Sequence, residues 1–164
     1  MRKELAQQLL RELLKNSKRS DRDLAKILKV SQPTITRVRH NLEKKGMIQD
    51  YTIIPDFKKL GFELMTILLV KIRPEAMSPE AMIKAKEYAT KAHPHVILST
   101  LGEGMGMNGV AISFHRNYTE LQRHLNQLRI EWKDFLRDIQ IFCVTIGEEE
   151  FKRFSLAYLK DVPP

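Results

Sequence analysis

Between residues 31 and 44 the chain concentrates polar side chains whose chemistry suits a nucleic acid. An arginine can give two parallel hydrogen bonds to a guanine edge, and hydroxyl, amide, imidazole and ammonium groups bind other base edges or phosphates. Ile35, Val38 and Leu42 recur at helical spacing, so one stripe packs inward and the polar groups face outward or flank it. The pattern predicts a DNA-reading helix. Its candidate contact residues are Ser31, Gln32, Thr34, Thr36, Arg37, Arg39, His40 and Lys44.

The residues before this helix predict a shorter helix and a tight turn. Ser20 can cap the shorter helix, and Asp23 suits its electropositive first turn. The apolar stripe of that helix is formed by Leu24, Ile27 and Leu28. Lys29 and Val30 form the turn, and Ser31 can cap the helix that follows. Two capped helices joined in this way are typical of a helix-turn-helix DNA reader.

The reading helix is predicted to begin near Gln32 and to stop at Gly46, which can take the left-handed conformation that ends a helix. Residues 47–54 are predicted to be extended, where a winged helix-turn-helix places its wing or exit strand. An earlier amphipathic helix, ending near Asn16, supplies the third helix that such a domain needs. We therefore predict a winged helix-turn-helix domain over residues 1–54. The stripe of the first helix is Leu5, Leu9, Leu10, Leu13 and Leu14.

The distribution of charge indicates the same partner. Residues 1–56 hold 13 Lys and Arg against 7 Asp and Glu, whereas residues 57–164 hold 15 against 13. Most of the basic excess therefore lies on the segment that the helix pattern already assigns to nucleic acid. The predicted partner is double-stranded DNA.

Length and composition exclude several other classes of protein. With 164 residues and 43% hydrophobic residues, the chain can form two small domains with real cores. Its longest apolar run, at residues 65–70, is too short to span a bilayer, and its N-terminus does not resemble a signal peptide. The lone Cys143 lies in an apolar strand pattern and is predicted to be a buried small hydrophobe. We predict a cytoplasmic protein without a membrane partner.

The second half predicts a different architecture, after a Pro- and Gly-bounded hinge at residues 55–61. Its elements alternate as strand, helix, strand, strand, helix, strand, the order of a ferredoxin-like domain, here over residues 62–147 with a tail at 148–164. The overall class is thus α+β. The predicted strands cover residues 62–73, 96–101, 110–115 and 139–146. One helix starts at Pro79 and ends at His93-Pro94, and the other starts at Asn117 and continues through Trp132 and Phe135.

Such a domain carries both helices on one face of its sheet, so the other face needs a cover. An identical subunit is the commonest cover in soluble proteins, and a homodimer would place two DNA readers on one two-fold axis. The alternative is that the N-terminal helices or the tail at residues 148–164 cover this face. We predict a homodimer.

The residues together resemble the Lrp/AsnC (leucine-responsive, feast-famine) family of prokaryotic transcriptional regulators. The resemblance covers most of the chain and implies a winged helix-turn-helix, a linker and an effector-sensing domain that builds homodimers or higher assemblies such as octamers. It also implies an amino acid or another small molecule as effector. The matching positions are Ser31, Leu42-Glu43, Gly46, Ile48-Gln49, Tyr51, Asp56 and Leu60-Gly61, followed by the strand and helix order.

The resemblance places the effector loop between the second and third strands, at Gly102, Glu103 and Met105. Glu103 keeps one carboxylate of that loop, which an α-amino group requires, whereas Met105 stands where an aspartate is common. Met105 and Met107 supply thioethers, so a ligand of this loop is expected to be apolar and to carry a cation.

Other chemistries are predicted to be absent. The run Gly104 to Gly109 matches G-x-G-x-x-G, but a strand follows it where a dinucleotide site needs a helix, so we predict a hairpin turn and no cofactor. His93 and His95 flank Pro94, and His115 and His124 look isolated, so no metal set is predicted. No catalytic residues are predicted either.

The sequence therefore predicts a sequence-specific, DNA-binding transcriptional regulator that is not an enzyme. One alternative is an architectural, chromatin-like DNA-binding protein, which would show little preference for an operator. Another is an enzyme similar to siroheme decarboxylases, which share this architecture. Their His-rich second-strand signature does not appear over residues 96–114.

Overall fold

The computed structural model describes residues 2–92, 95–148 and 150–161. The chain divides into two compact units. The first contains the residues up to Ile54 together with the C-terminal segment from Phe151, and the second runs from Pro55 to Glu150. The predicted helix end at His93-Pro94 lies outside the described residues. Within the described chain, no helix is both long and apolar enough to cross a membrane.

Three helices form the first unit: α1 (Arg2–Lys15), α2 (Asp21–Leu28) and α3 (Gln32–Lys44). Their apolar stripes meet in one core, because each stripe recurs along one side of its helix and packs there away from water. Ile27, predicted to belong to the α2 stripe, is the exception, since it is 45% exposed. The small side chain of Ala25 lies within this core. Its buried members are Leu9, Leu13, Leu24, Ala25, Ile35 and Leu42.

Local capping explains where α2 and α3 begin and end. Ser20 Oγ accepts the Asp23 backbone N–H at 3.2 Å, and Ser31 Oγ accepts that of Thr34 at 3.4 Å. Lys29 takes a left-handed conformation with φ of 54° and turns the chain between the helices, while Gly46, with φ of 67°, follows the last turn of α3. The predicted helix-turn-helix is confirmed at both caps, at the turn and at the stop.

The segment at residues 47–54 has no regular secondary structure. The predicted exit strand is therefore not formed within the chain. An extended segment becomes a strand only when a neighbouring strand completes its hydrogen bonds, and the described part of the first unit holds only helices. The C-terminal 3-10 helix, Leu156–Asp161, packs against α1.

The second unit has the predicted order of strands and helices. Its strands are β1 (Leu64–Ile72), β2 (Val96–Gly104), β3 (Met107–His115) and β4 (Leu136–Thr145). Its helices are α4 (Pro79–Ala92) and α5 (Tyr118–Glu131). The strands form one antiparallel sheet in the order β2-β3-β1-β4, so the ferredoxin-like prediction is confirmed.

Two local predictions in this unit are wrong. The second helix of this unit, α5, does not continue through Trp132 and Phe135 as predicted. A tight turn, in which the Leu136 N–H donates to Trp132 O at 2.7 Å, redirects the chain into β4. Cys143 is exposed rather than buried, since β4 is an edge strand with no neighbour on its outer side. The G-x-G-x-x-G run is confirmed as a hairpin, whose turn is formed by Met105 and Gly106 with φ of 52° and 75°.

The two faces of the sheet differ. On one face Leu68 packs with Leu121 and Leu125 of α5 in a buried core. At the same face Gly109 lies opposite Val70, where an added β-carbon would come within 2.8 Å of Val70 Cγ2.

The other face presents an apolar row across all four strands. Register places Leu98, Ile112, Ile67 and Phe142 side by side. Phe142 is 66% exposed and Leu98 44% exposed. Near one end of this face, Phe57 from the 55–61 segment stacks on Phe114 at 4.2 Å.

Candidate nucleic-acid interface

The exposed face of α3 forms a shallow depression near its N-terminal half. Its lining includes three predicted contact residues with basic or amide groups, Gln32, Arg37 and His40, together with Pro33 and Thr36. All of these residues are exposed, and Lys44 is exposed one turn beyond His40. The structure therefore brings hydrogen-bond donors and positive charge together on one accessible surface.

Two predicted contact residues take part in the cap of α3. Ser31 Oγ and Thr34 Oγ1 are 2.8 Å apart, and Ser31 Oγ also accepts the Thr34 backbone N–H. Their hydroxyl groups hold the start of the helix, where unpaired backbone N–H groups point outward.

Arg39 has a different environment from Arg37. Its Nε donates to Asp21 Oδ1 at 2.7 Å, and its side chain is only 17% exposed. The other carboxylate oxygen, Asp21 Oδ2, accepts the Thr36 hydroxyl at 2.6 Å. Asp21 begins α2, so one carboxylate joins the two helices of the motif through two residues of α3.

The same guanidinium also holds the segment after α3. Arg39 Nη1 donates to the Tyr51 hydroxyl oxygen at 3.2 Å, and Tyr51 O–H donates to Glu43 Oε1 at 2.8 Å. Burial lowers the pKa of Arg39, but its hydrogen bond to Tyr51 and the charge of Asp21 outweigh this and raise that pKa above its usual value. Burial is also the largest cause that raises the pKa of Tyr51. Arg39 thus stays charged inside a network.

Sequence reasoning missed Asp21, Glu43 and Tyr51 as parts of this network. One signal was present: Arg39 follows Ile35 by four residues and precedes Leu42 by three, so it borders the buried stripe. Arg37 has no such neighbours and points away. Nothing in the local pattern indicated that a residue at the start of α2 would meet Arg39.

The predicted effector residues lie in the β2–β3 hairpin. Gly102, Glu103 and Met105 are all exposed, and Met105 at the turn is 81% exposed. They project from the single chain toward solvent, so a ligand held there would need a second surface to cover it.

The expectation that His115 and His124 are isolated is wrong. His95, from the turn before β2, joins them, and one ring nitrogen from each lies within 4.8 Å of those of the other two. Burial is the main cause that lowers the pKa of His115, to about 4, and it also lowers the pKa of His95. Both rings are therefore neutral at pH 7. His93 lies outside the described residues.

The fold and this surface define a two-unit protein with an N-terminal helix-turn-helix and a C-terminal four-stranded sheet. Residues 8–52, which contain the helix pair, match the MarR family model. The chain is 40% identical over 76 residues to the HTH-type transcriptional regulator LrpA of Pyrococcus abyssi. These 76 residues are 46% of this chain and 53% of LrpA. The chain thus matches about half the length of such curated relatives.

Solved structures extend the likeness to the whole fold. Escherichia coli AsnC has a TM-score of 0.71 at 20% identity, covering 93% of this chain and 97% of AsnC. A transcriptional regulator from Neisseria meningitidis, solved as an L-Met complex, has a TM-score of 0.73 at 17% identity, covering 94% and 97%. Together with the sequence match to LrpA, these structures confirm the predicted resemblance to the Lrp/AsnC regulators.

The Asp21 bridge generates a prediction about stability. Asp21→Ala should lower the free energy of unfolding by about 1 to 2 kcal/mol, because it leaves the half-buried Arg39 guanidinium without its carboxylate. The measurement is chemical denaturation of the full chain. Lys59→Ala is the control, since it removes an exposed ion pair with Asp56 at 3.8 Å and should change little. Equal effects of the two substitutions would contradict the bridging role.

Proposed function

We propose that this chain is a sequence-specific DNA-binding transcriptional regulator rather than an enzyme, and that it acts as a homodimer or higher assembly in the cytoplasm of a prokaryote. The observation that carries the proposal is the exposed polar face of α3, held in place by a capped helix-turn-helix. The similarity to the regulator LrpA over 76 residues supports it. The basic excess in residues 1–56 suits a polyanion.

The eight predicted contact residues divide by role in this proposal. Gln32, Arg37 and His40 read base edges from the depression on α3, because their donors are exposed together. Lys44 binds phosphate as a point charge. The hydroxyl residues Ser31, Thr34 and Thr36 border the helix start and the depression, within reach of the backbone of the duplex. The main role of Arg39 is to hold α3 in position through Asp21, and contact with DNA is its secondary role.

The first test concerns Arg37. Arg37→Ala should weaken binding to a selected operator by about 1 to 3 kcal/mol and relax the preference at one base pair, because a bidentate contact to guanine is lost. Lys44→Ala should weaken binding to all sequences alike and reduce the salt slope by about 1. Operators are selected from a random library, and titrations on operator and random DNA are run at several salt concentrations.

Arg123→Ala is the matched control, because it removes an exposed arginine from α5 in the other unit. It should leave both affinity and salt slope unchanged. If Arg37→Ala behaved like this control, α3 would not be the reading helix. If selection yielded no preferred sequence while Lys44→Ala still weakened binding, the protein would be an architectural DNA binder.

The proposed dimer uses the open face of the sheet. Leu98, Ile112, Ile67 and Phe142 form a continuous apolar row there, with its two end members exposed to solvent in the single chain. Exposed apolar rows of this kind favour association, and a copy of the same chain offers the same row in return. Two linked readers would also bind DNA more tightly than one.

Sedimentation tests the dimer through Phe142. Phe142→Glu should turn a dimer into a monomer, because it buries a carboxylate within the apolar contact. Ile130→Glu is the control, since Ile130 is similarly exposed, at 73%, but lies on α5. A Phe142→Glu protein that sediments like the wild type would show that this face is not the dimer contact.

We also propose that the β2–β3 hairpin binds an apolar amino acid between copies. Glu103 would meet the ligand's ammonium group, and the thioether of Met105 would contact its side chain. The Neisseria meningitidis regulator that shares this fold was solved with L-Met, an apolar amino acid. The exposure of this hairpin in the single chain agrees with a site completed by another copy.

A thermal-shift panel of the standard amino acids tests the hairpin. Any ligand of the native fold should raise the melting temperature with its concentration, and the shift should come from apolar amino acids. Glu103→Ala should abolish it, whereas Glu75→Ala, an exposed carboxylate in the 3-10 turn after β1, should not. A clear shift with aspartate, glutamate or lysine would contradict the proposed chemistry. No shift at all would support a hairpin that only joins copies.

A further inference from the structure

Three elements of the second unit bring three imidazole rings together. His95 precedes β2, His115 ends β3 and His124 lies in α5. The ring centroids are separated by 5.0 Å for His95 and His115, 4.5 Å for His95 and His124, and 5.4 Å for His115 and His124. His115 is 0% exposed and His124 is 6% exposed. The cluster is therefore part of the interior, unlike the surface histidine His40.

Hydroxyl groups of the sheet orient one of these rings. Ser113 Oγ lies 2.9 Å from His115 Nε2, and Thr66 Oγ1 lies 2.7 Å from Ser113 Oγ. The other nitrogen, His115 Nδ1, is buried and has no hydrogen-bond partner among the described residues. A buried polar atom without a partner costs free energy, and in native structures it often indicates an ion or a water.

We propose that His95, His115 and His124 bind one divalent transition-metal ion of the zinc or cobalt type. Two nitrogens that share a tetrahedral zinc ion at about 2.0 to 2.1 Å are separated by about 3.3 Å. His95 Nε2 and His124 Nδ1 are 3.2 Å apart, which matches this spacing without movement. The ligand nitrogens of the three histidines all lie within 4.8 Å of one another. To reach the spacing of about 3.3 Å, the His115 nitrogen would have to move by at most roughly 1.5 Å, which a rotation of its ring can supply.

The surroundings of the cluster suit a cation with nitrogen ligands. Neutral imidazole is the form that binds metal, and burial keeps His95 and His115 neutral. The Glu120 carboxylate acts electrostatically on both rings, so it partly balances an added positive charge. Magnesium and calcium prefer oxygen ligands and are excluded by this donor set. Three histidines leave a fourth position for water or another ligand.

A bound ion would connect α5 to the end of β3 and to the start of β2. The competing arrangement is a metal-free cluster in which the His95 and His124 rings share a hydrogen bond. The metal-bound and metal-free arrangements predict different results when metal is added, because only the first changes the absorption spectrum of the metal and the stability of the protein. The measurement uses the full chain without DNA, so its result does not depend on the proposed function.

Cobalt(II) titration of chelator-treated protein tests the site, because the intensity of cobalt absorption distinguishes tetrahedral from octahedral coordination. We expect one equivalent per chain, an intense spectrum, displacement by zinc, and a higher melting temperature with zinc but not with magnesium. His95→Ala should weaken cobalt binding by about tenfold or more, and Ser113→Ala, which frees the His115 ring, by about 10- to 100-fold. His95 is the primary target because it is the least buried of the three ligands.

His40→Ala is the matched control, since it removes an exposed histidine from α3 and should leave cobalt binding unchanged. Circular dichroism on each variant establishes that it folds. A cobalt spectrum of the hydrated ion, or a folded His95→Ala protein that binds cobalt as the wild type does, would overturn the proposal. The histidines would then be a hydrogen-bonded part of the core.

Discussion

The inner strand β1 is hydrogen-bonded along both edges, to β3 and to β4, and its register determines what each face of the sheet presents. Thr66 lies between Ser113 and Cys143, and the next residue, Ile67, lies between Ile112 and Phe142. Side chains alternate between faces along a strand, so a shift by one residue would exchange the two faces completely. Both the buried polar cluster and the exposed apolar row depend on this register.

The two arginines of α3 show how neighbouring residues of one type acquire separate tasks. They are two positions apart, so the helix directs them toward nearly opposite sides. Arg39 turns inward to Asp21 and Tyr51, whereas Arg37 remains on the exposed surface. A count of basic residues therefore overstates the charge that a duplex could meet. The internal arginine instead holds the helix that carries the exposed one.

Local signals predicted most of the fold, since caps, turns and apolar periodicity act between residues that are close along the chain. Ser20, Ser31 and Gly46 marked the helix ends correctly. Long-range contacts could not be read in this way. Asp21 and Arg39 are separated by 18 positions, and His95 and His124 by 29, so only the completed packing brings each pair together. The exposure of Cys143 likewise depended on strand order, which apolarity alone does not reveal.

Gly109 imposes a condition on how this sequence can change over time. Because a β-carbon there would collide with Val70, any substitution at position 109 is acceptable only after residue 70 has become smaller. If position 109 changed first, the sheet would contain a steric clash, whereas a smaller residue at position 70 leaves only a void that can be filled later. The two positions are therefore expected to change in a preferred historical order, and related chains should carry a bulky residue at one of them at a time.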